Sequence, residues 1–276
     1  MTGWTETYRG VVKAWECDVF DHFTIAYYFD RLSDCSAALT AARAATGWQT
    51  ESLIVRYRQE LRAGDGLHAE SAVLAADADR LKLVHKFFNS VTGDVTTQAE
   101  QWLRPTFDQP AGAAPLAPGA LVAGWEPAEP APVELPGAFV DTGRDLVKPT
   151  DIDQAGGLSW AAYVHRFSGC GPHLLSRIGM TPSYMREAKQ GFSTFETRLT
   201  LLGPPPRVGD LLALQSGILR MGKSSIGVLH RMLDVRSGQV IASLHQSGVQ
   251  LDMVARRSNP WPDAIRRAGE AILGSA

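Results

Sequence analysis

The chain has 276 residues, 45% of them hydrophobic, and a formal net charge of −2. That length fits one large domain or two of ordinary size with ample core, and the near-neutral balance argues against a nucleic-acid-binding protein, which carries a clustered basic surface. Three cysteines without CxxC spacing (Cys17, Cys35, Cys170) argue against a disulfide scaffold and against a zinc site, and point to reduced thiols in a cytoplasmic protein.

Residues 7–16 read as a short strand with partial alternation. The N-terminal segment before it lacks a basic region followed by an apolar stretch, so no signal peptide is expected, and no apolar run is long enough to cross a bilayer. Asp18 to Phe23 reads as a turn, and Thr24 as the N-cap of a helix from Ile25 to about Thr46. Tyr28, Leu32, Cys35 and Leu39 recur at three and four, giving one apolar stripe. Alanine pairs at 37–38, 41–42 and 44–45 keep another face thin enough for close packing, and Gly47 is a natural stop. Four strands are expected next, over 53–61, 67–75, 81–89 and 95–103, with Gly64-Asp65-Gly66 as a turn and Thr92-Gly93-Asp94 as a hairpin turn.

The stretch 105–138 differs in kind. It holds eight prolines from Pro105 to Pro136 and no Lys or Arg, which reads as a linker. Its apolar run Leu121–Trp125 is either pinned to the body or part of a disordered loop.

The second half repeats the first. An offset of 135 pairs Lys13 with Lys148, Asp18 with Asp153, Tyr28 with Tyr163, Arg31 with Arg166 and Cys35 with Cys170, and it sets Ser159 on Thr24. After the helix the offset becomes 145, pairing Gly64-Asp65 with Gly209-Asp210, His85 with His230 and Gly93 with Gly238. Two long copies fit a fusion rather than a solenoid of many short repeats. The expected division is a module over 1–104, the linker 105–138, a second module over 139–258 and a terminal helix over 259–276.

The order of strand, long helix and antiparallel strands, with Asp18-Val-Phe-Asp21-His22-Phe-Thr24 at the first helix entry and Asp153-Gln-Ala-Gly156-Gly157-Leu-Ser159 at the second, resembles the hotdog-fold acyl-CoA thioesterases. The likeness is closest to the 4-hydroxybenzoyl-CoA thioesterase-like group, whose turn runs roughly Asp-x-x-Gly-His-x-Asn. Gly179-Met-Thr-Pro-Ser-Tyr-Met-Arg-Glu187 is similar to bacterial members of that group. The resemblance covers nearly the whole chain and implies an α+β double hotdog, each long central helix wrapped by its antiparallel sheet, with the two sheets joined edge to edge to cover exposed strand edges. Each turn departs from the motif. The first has Asp21 in place of Gly and Thr24 in place of Asn; the second has Gly157 in place of His and Ser159 in place of Asn. The resemblance implies one working site of the two.

It also implies acyl-CoA hydrolysis without metal or redox cofactor, and it leaves room for a homodimer. A helix N-terminus offers amides and partial positive charge to a developing oxyanion, and the amides around His22 to Thr24 are the expected oxyanion site. Asp18 is the candidate nucleophile or general base, His22 an orienting group, and Thr24 a cap or water ligand. Asp153 is a second candidate, more readily read as a retained turn residue. Arg56 and Arg58, with Lys82 and Lys86 as alternatives, are candidates for the phosphates of CoA. Tyr28 and Tyr163 fit the core, His85 and His230 a structural pairing, and Cys35 and Cys170 buried small hydrophobes. Rival readings are an acyl-carrier-protein thioesterase or a hydratase of the same fold, and a non-catalytic acyl-CoA-binding protein.

Overall fold

The computed structural model describes residues 3–18, 20–42, 47–76, 80–105, 125 and 138–273. Two compact units divide the chain, Met1–Pro130 and Ala131–Ala276. The first holds β1 (Thr5–Val11), α1 (Ile25–Ala42), β2 (Trp48–Tyr57), β3 (Gly66–Ala76), β4 (Leu81–Asn89) and β5 (Val95–Pro105). The second holds β6 (Val140–Leu146), α2 (Trp160–Arg177), α3 (Pro182–Glu187), β7 (Gln190–Leu201), β8 (Leu211–Met221), β9 (Ser225–Asp234), β10 (Val240–Asp252), β11 (Arg257–Ser258) and α4 (Asp263–Leu273). Within the first unit the antiparallel strand order is β1-β3-β4-β5-β2. Within the second it is β6-β8-β9-β10-β7, with β11 added to β10. The same topology occurs twice, and the α+β class read from the sequence holds.

In α1 the buried positions Ala26, Tyr28, Phe29, Leu32, Cys35, Ser36 and Leu39 follow the three-and-four spacing of one helical face. Leu39 packs with Val73, Leu81, Leu83 and Leu103 of the sheet, and Tyr28 meets Phe87, all of them buried. The alanine face behaves differently from expectation: Ala37, Ala38, Ala41 and Ala42 are exposed. Residues 43–46, where the helix was expected to finish, lie outside the described residues. The bounds of the first two strands also move, with β1 starting at Thr5 and β2 at Trp48, ahead of the expected 7 and 53. The first strand stops at Val11, and Ala14–Glu16 forms a 3-10 turn, because the Glu16 carboxylate folds back to accept the Lys13 amide at 2.9 Å. The second ends at Tyr57, because the amides of Arg58 and Gln59 both turn to the Thr96 carbonyl.

A polar chain crosses each sheet beneath its helix, one residue per strand and in spatial order. In the first unit Thr7 meets Ser71 at 2.7 Å, Ser71 meets His85 Nδ1 at 2.7 Å, and His85 Nε2 meets Gln101 Oε1 at 3.2 Å. Gln101 Nε2 then donates to Thr50 at 2.8 Å and to Ser36 of α1 at 2.9 Å. In the second unit Thr142, Ser216, His230, Gln246 and Thr194 repeat it, at 2.8, 2.6, 3.3 and 2.6 Å. An amide oxygen only accepts, so each His carries its proton on Nε2 and accepts a hydrogen bond from the Ser hydroxyl on Nδ1. Burial pushes both imidazoles down to about 4, which keeps them neutral. The pairing expected for His85 and His230 is thus a hydrogen-bonded one.

Trp125 is the one described residue between Pro105 and Ala138. Its Nε1 donates to Glu100 Oε1 at 3.0 Å, and its ring meets Trp4 at 6.2 Å beside Ala72, Leu74 and Val84. Trp125 is therefore pinned to its unit; the rest of the expected linker, 106–124 and 126–137, lies outside the described residues. In the second unit, α4 closes a cluster of Leu174, Ile178, Ile218, Trp261 and Ile265. The expected terminal helix is present from Asp263 to Leu273, and residues 274–276 are outside the described set.

Candidate active site

The two turns ahead of α1 and α2 share one backbone. Isolated bridges Cys17–Phe23 and Ile152–Leu158 close them at their bases. The Asp18 amide donates to His22 O at 2.9 Å, and Asp153 to Gly157 O at 2.8 Å. Asp18 Oδ1 accepts from the amides of Phe20 (2.8 Å) and His22 (3.0 Å); Asp153 Oδ1 accepts from Ala155 (2.9 Å) and Gly157 (3.1 Å). Each aspartate therefore builds its own turn with one oxygen, a common use of Asp, and its Oδ2 stays outside these bonds. Both residues are exposed. Asp21 stands at φ 60° and Gly156 at φ 77°. Asp tolerates the left-handed region better than most residues, so replacing the motif glycine by Asp21 preserves the turn.

What fills the turns differs. His22 Nε2 lies 3.4 Å from Glu60 Oε2, with the imidazole mostly covered. In the second unit, the offset of 145 puts Pro205 where Glu60 stands. A Cβ on Gly157 would come within 2.7 Å of the Pro205 Cβ, so a histidine there has no room. Arg207 adds a bond from Nη1 to the Gly156 carbonyl at 3.1 Å.

The hydroxyls at the helix entries differ too. Ser159 Oγ caps α2 by accepting from Ala162 N at 3.2 Å. The cap expected of Thr24 is not made. The Tyr27 amide instead donates to the Thr24 carbonyl at 3.1 Å, and Thr24 Oγ1 is buried without a hydrogen-bond partner among the described residues. The amides of His22, Phe23 and Thr24, expected to receive the oxyanion, are bonded to Asp18 Oδ1 (3.0 Å), Leu61 O (2.8 Å) and Glu16 O (3.0 Å). Below the first turn, Tyr28 packs edge-on against Phe23 (4.6 Å), Tyr57 (5.2 Å) and Phe87 (5.8 Å). Burial pushes its phenol up to about 12, as befits a core tyrosine. Tyr163 is likewise buried and raised, and the offsets of 135 and 145 set Leu158, Leu202 and Met232 at the positions of Phe23, Tyr57 and Phe87.

A model of the thioesterase-like superfamily matches residues 12–123 and 147–269, once in each half. The chain belongs to that family. Three solved structures share its fold over both halves. One, from Lactobacillus plantarum and described as a candidate oleoyl thioesterase, has 11% identity and a TM-score of 0.68 over 90% of this chain and 96% of its own. An acyl-ACP thioesterase from Bacteroides thetaiotaomicron has 13% identity and a TM-score of 0.60 over 90% and 98%. The 12:0-ACP thioesterase from Umbellularia californica has 9% identity and a TM-score of 0.63 over 91% and 95%. No curated protein sequence matches significantly. The fold is a double hotdog, and family and fold together support thioester hydrolysis as the general reaction.

For this thioesterase-like chain the cationic candidates separate. Arg56 is half-buried on β2, and Arg58 is exposed just beyond its end, two residues before Glu60. Lys82 is committed elsewhere: it is buried, pairs with Glu100 at 2.6 Å and stands 4.3 Å over the Trp102 ring. Lys86 stands 4.4 Å over Trp4. Cys35 and Cys170 are buried, and burial raises both thiols, Cys35 to about 11. No group of three or more His, Cys, Asp or Glu among the described residues is arranged to hold a metal ion. No helix among them is long and apolar enough to cross a membrane.

Asp18, His22 and Thr24 thus come together on one turn, with Arg58 on the segment that supplies Glu60; Asp153 sits alone on the equivalent turn of the second unit. Sequence reading missed Glu60. Its position carries no motif, and only the matched Gly64-Asp65 and Gly209-Asp210 turns align it with Pro205.

Proposed function

We propose that the protein hydrolyses acyl-CoA thioesters at the first turn, with Asp18 as the catalytic carboxylate. The observation that carries this reading is the His22–Glu60 pair, which the second turn replaces with Gly157 against Pro205. Asp18 Oδ1 is held by two amides, which fixes the carboxylate plane and leaves Oδ2 to take a proton from water. Water oxygen then bonds to the thioester carbonyl carbon, the C–S bond breaks, and the proton held on Asp18 passes to the leaving sulfur, giving a free acid and a thiol. Glu60 holds the His22 ring through Nε2, and the N-terminus of α1 beyond the turn favours the charge that develops on the carbonyl oxygen. Asp153 acts as a turn former. Arg56 and Arg58, on the segment that supplies Glu60, receive the phosphates of CoA.

Acyl carrier protein is the second carrier to consider, because two structures of the same double fold are described as acyl-ACP thioesterases. The test is free-thiol release from matched acyl-CoA and acyl-carrier-protein panels by wild type, Asp18→Asn, His22→Gln and Asp153→Asn. Turnover lost in Asp18→Asn and kept in Asp153→Asn supports the reading. Loss confined to Asp153→Asn moves the site to the second unit, and tight binding of an acyl-CoA with no turnover makes the protein a binder.

A further inference from the structure

An acid–arginine clamp, outside the turn itself, recurs at the base of both turns. Glu16 lies two residues before Asp18 and is buried, as is Arg31 on the second turn of α1. One Glu16 carboxylate oxygen accepts the Lys13 amide at 2.9 Å, and the other takes Arg31 Nη2. The Glu16 carbonyl accepts the Thr24 amide at 3.0 Å. One residue thus holds the end of β1, the exit of the turn and the body of the helix. Asp151 repeats all three contacts at the offset of 135: the Lys148 amide at 2.8 Å, Arg166 Nη2 at 2.6 Å, and the Ser159 amide on its carbonyl at 2.9 Å.

The arginines are held differently. Arg166 also donates to the Ala162 carbonyl at 3.1 Å and lies 3.0 Å from Asp145. At the position matching Asp145 the first unit has Gly10, and Arg31 instead pairs with Asp30 and stands 5.4 Å over the Tyr8 ring. In both arginines Nε is buried without a hydrogen-bond partner among the described residues. Each arginine thus has one covered carboxylate, Glu16 or Asp151, and one more exposed one, Asp30 or Asp145; Arg166 adds the Ala162 carbonyl.

We propose that Glu16 and Arg31 are positioning residues for hydrolysis: they fix the Asp18–His22 turn against the start of α1 without touching substrate. This rests on the first turn being the reactive one. A carboxylate displaced by an ångström loses its alignment with water and carbonyl, so breaking the clamp lowers kcat more than it raises KM. The matched pair Asp151–Arg166 places a turn that does no chemistry, so breaking it leaves kcat alone.

The experiment compares kcat, KM and thermal midpoint in Arg31→Met, Arg31→Lys, Glu16→Gln and Glu16→Asp with those in Arg166→Met and Asp151→Asn, using Asp18→Asn as the control. Expected are a fall of about 10- to 100-fold in kcat for Arg31→Met and Glu16→Gln with KM within about twofold, and partial recovery in Arg31→Lys and Glu16→Asp. The second-unit variants, at equal loss of thermal midpoint, keep wild-type kcat. Wild-type kcat in Arg31→Lys, Glu16→Asp and any folded Arg31→Met overturns the inference while leaving Asp18 in place. A rise in KM alone overturns it in favour of substrate contact. Full turnover in Asp18→Asn overturns the site reading and the inference with it.

Discussion

The two turns share a backbone hydrogen-bond pattern and differ in the side chains that fill it. Both aspartates tie up two amides, both loops close on the same bridge, and both are bolted to the helix by an acid–arginine pair. Only the first has an imidazole facing a carboxylate and a hydroxyl left out of the helix cap; the second has a glycine under a proline and a serine engaged as a cap. The two aspartates make the same turn bonds, so the role proposed for Asp18 rests on its neighbours rather than on its own geometry.

The sharpest way to test that difference is by rate. Asp18→Asn should lower turnover by about 100-fold or more, the range of a lost general base, whereas Asp153→Asn should stay within about twofold in a thiol-release assay. Equal losses would erase the distinction between the turns.

The buried histidines predict the opposite, equality. Replacing His85 with Leu strands Ser71 and Gln101, at about 1–3 kcal/mol for each unsatisfied group; His230→Leu should cost the same through Ser216 and Gln246. Both imidazoles sit near 4 when folded, below the ordinary histidine value of about 6.5. The unfolded chain therefore binds more protons between those values. The stability is fully present above about pH 6.5 and falls towards pH 4 by up to about 1.4 kcal/mol per unit and per histidine. Urea midpoints measured from pH 7 to 4.5 should slope less in each single variant and least in the double.

A smaller effect probes the plug. Gly157→His should destabilise by about 1–3 kcal/mol through overpacking against Pro205, and Gly157→His with Pro205→Glu should recover part of that by rebuilding the first turn's pair. Chemical denaturation reads both. Smallest is the cap: Ser159→Ala should cost about 1 kcal/mol, while Thr24→Val should cost little or stabilise, because it removes a buried hydroxyl without a partner. A matching loss at Thr24 would show that its hydroxyl does cap α1.

The duplication was legible because the offsets 135 and 145 keep Lys13, Asp18, Tyr28, Arg31, Cys35 and His85 in step with their counterparts. The β4 bounds and the α1 stripe followed from periodicity, since apolar residues on one face have one place to go. The Thr24 cap did not, because residue type favours a cap while the bond goes to whichever acceptor the first turn presents, here the Thr24 carbonyl. Lys82 failed as a phosphate ligand because its partner Glu100 comes from the neighbouring strand.

By itself the sequence determined two modules, the helix at the centre of each, the strands around it and the Asp-bearing turns, because those features rest on residues close in the chain. Tertiary structure alone decided that His22 faces Glu60, that Gly157 lies under Pro205, and that Glu16 clamps Arg31. Each of those contacts joins residues at least 15 positions apart, and local spacing encodes no such distance until the sheet has brought the segments together.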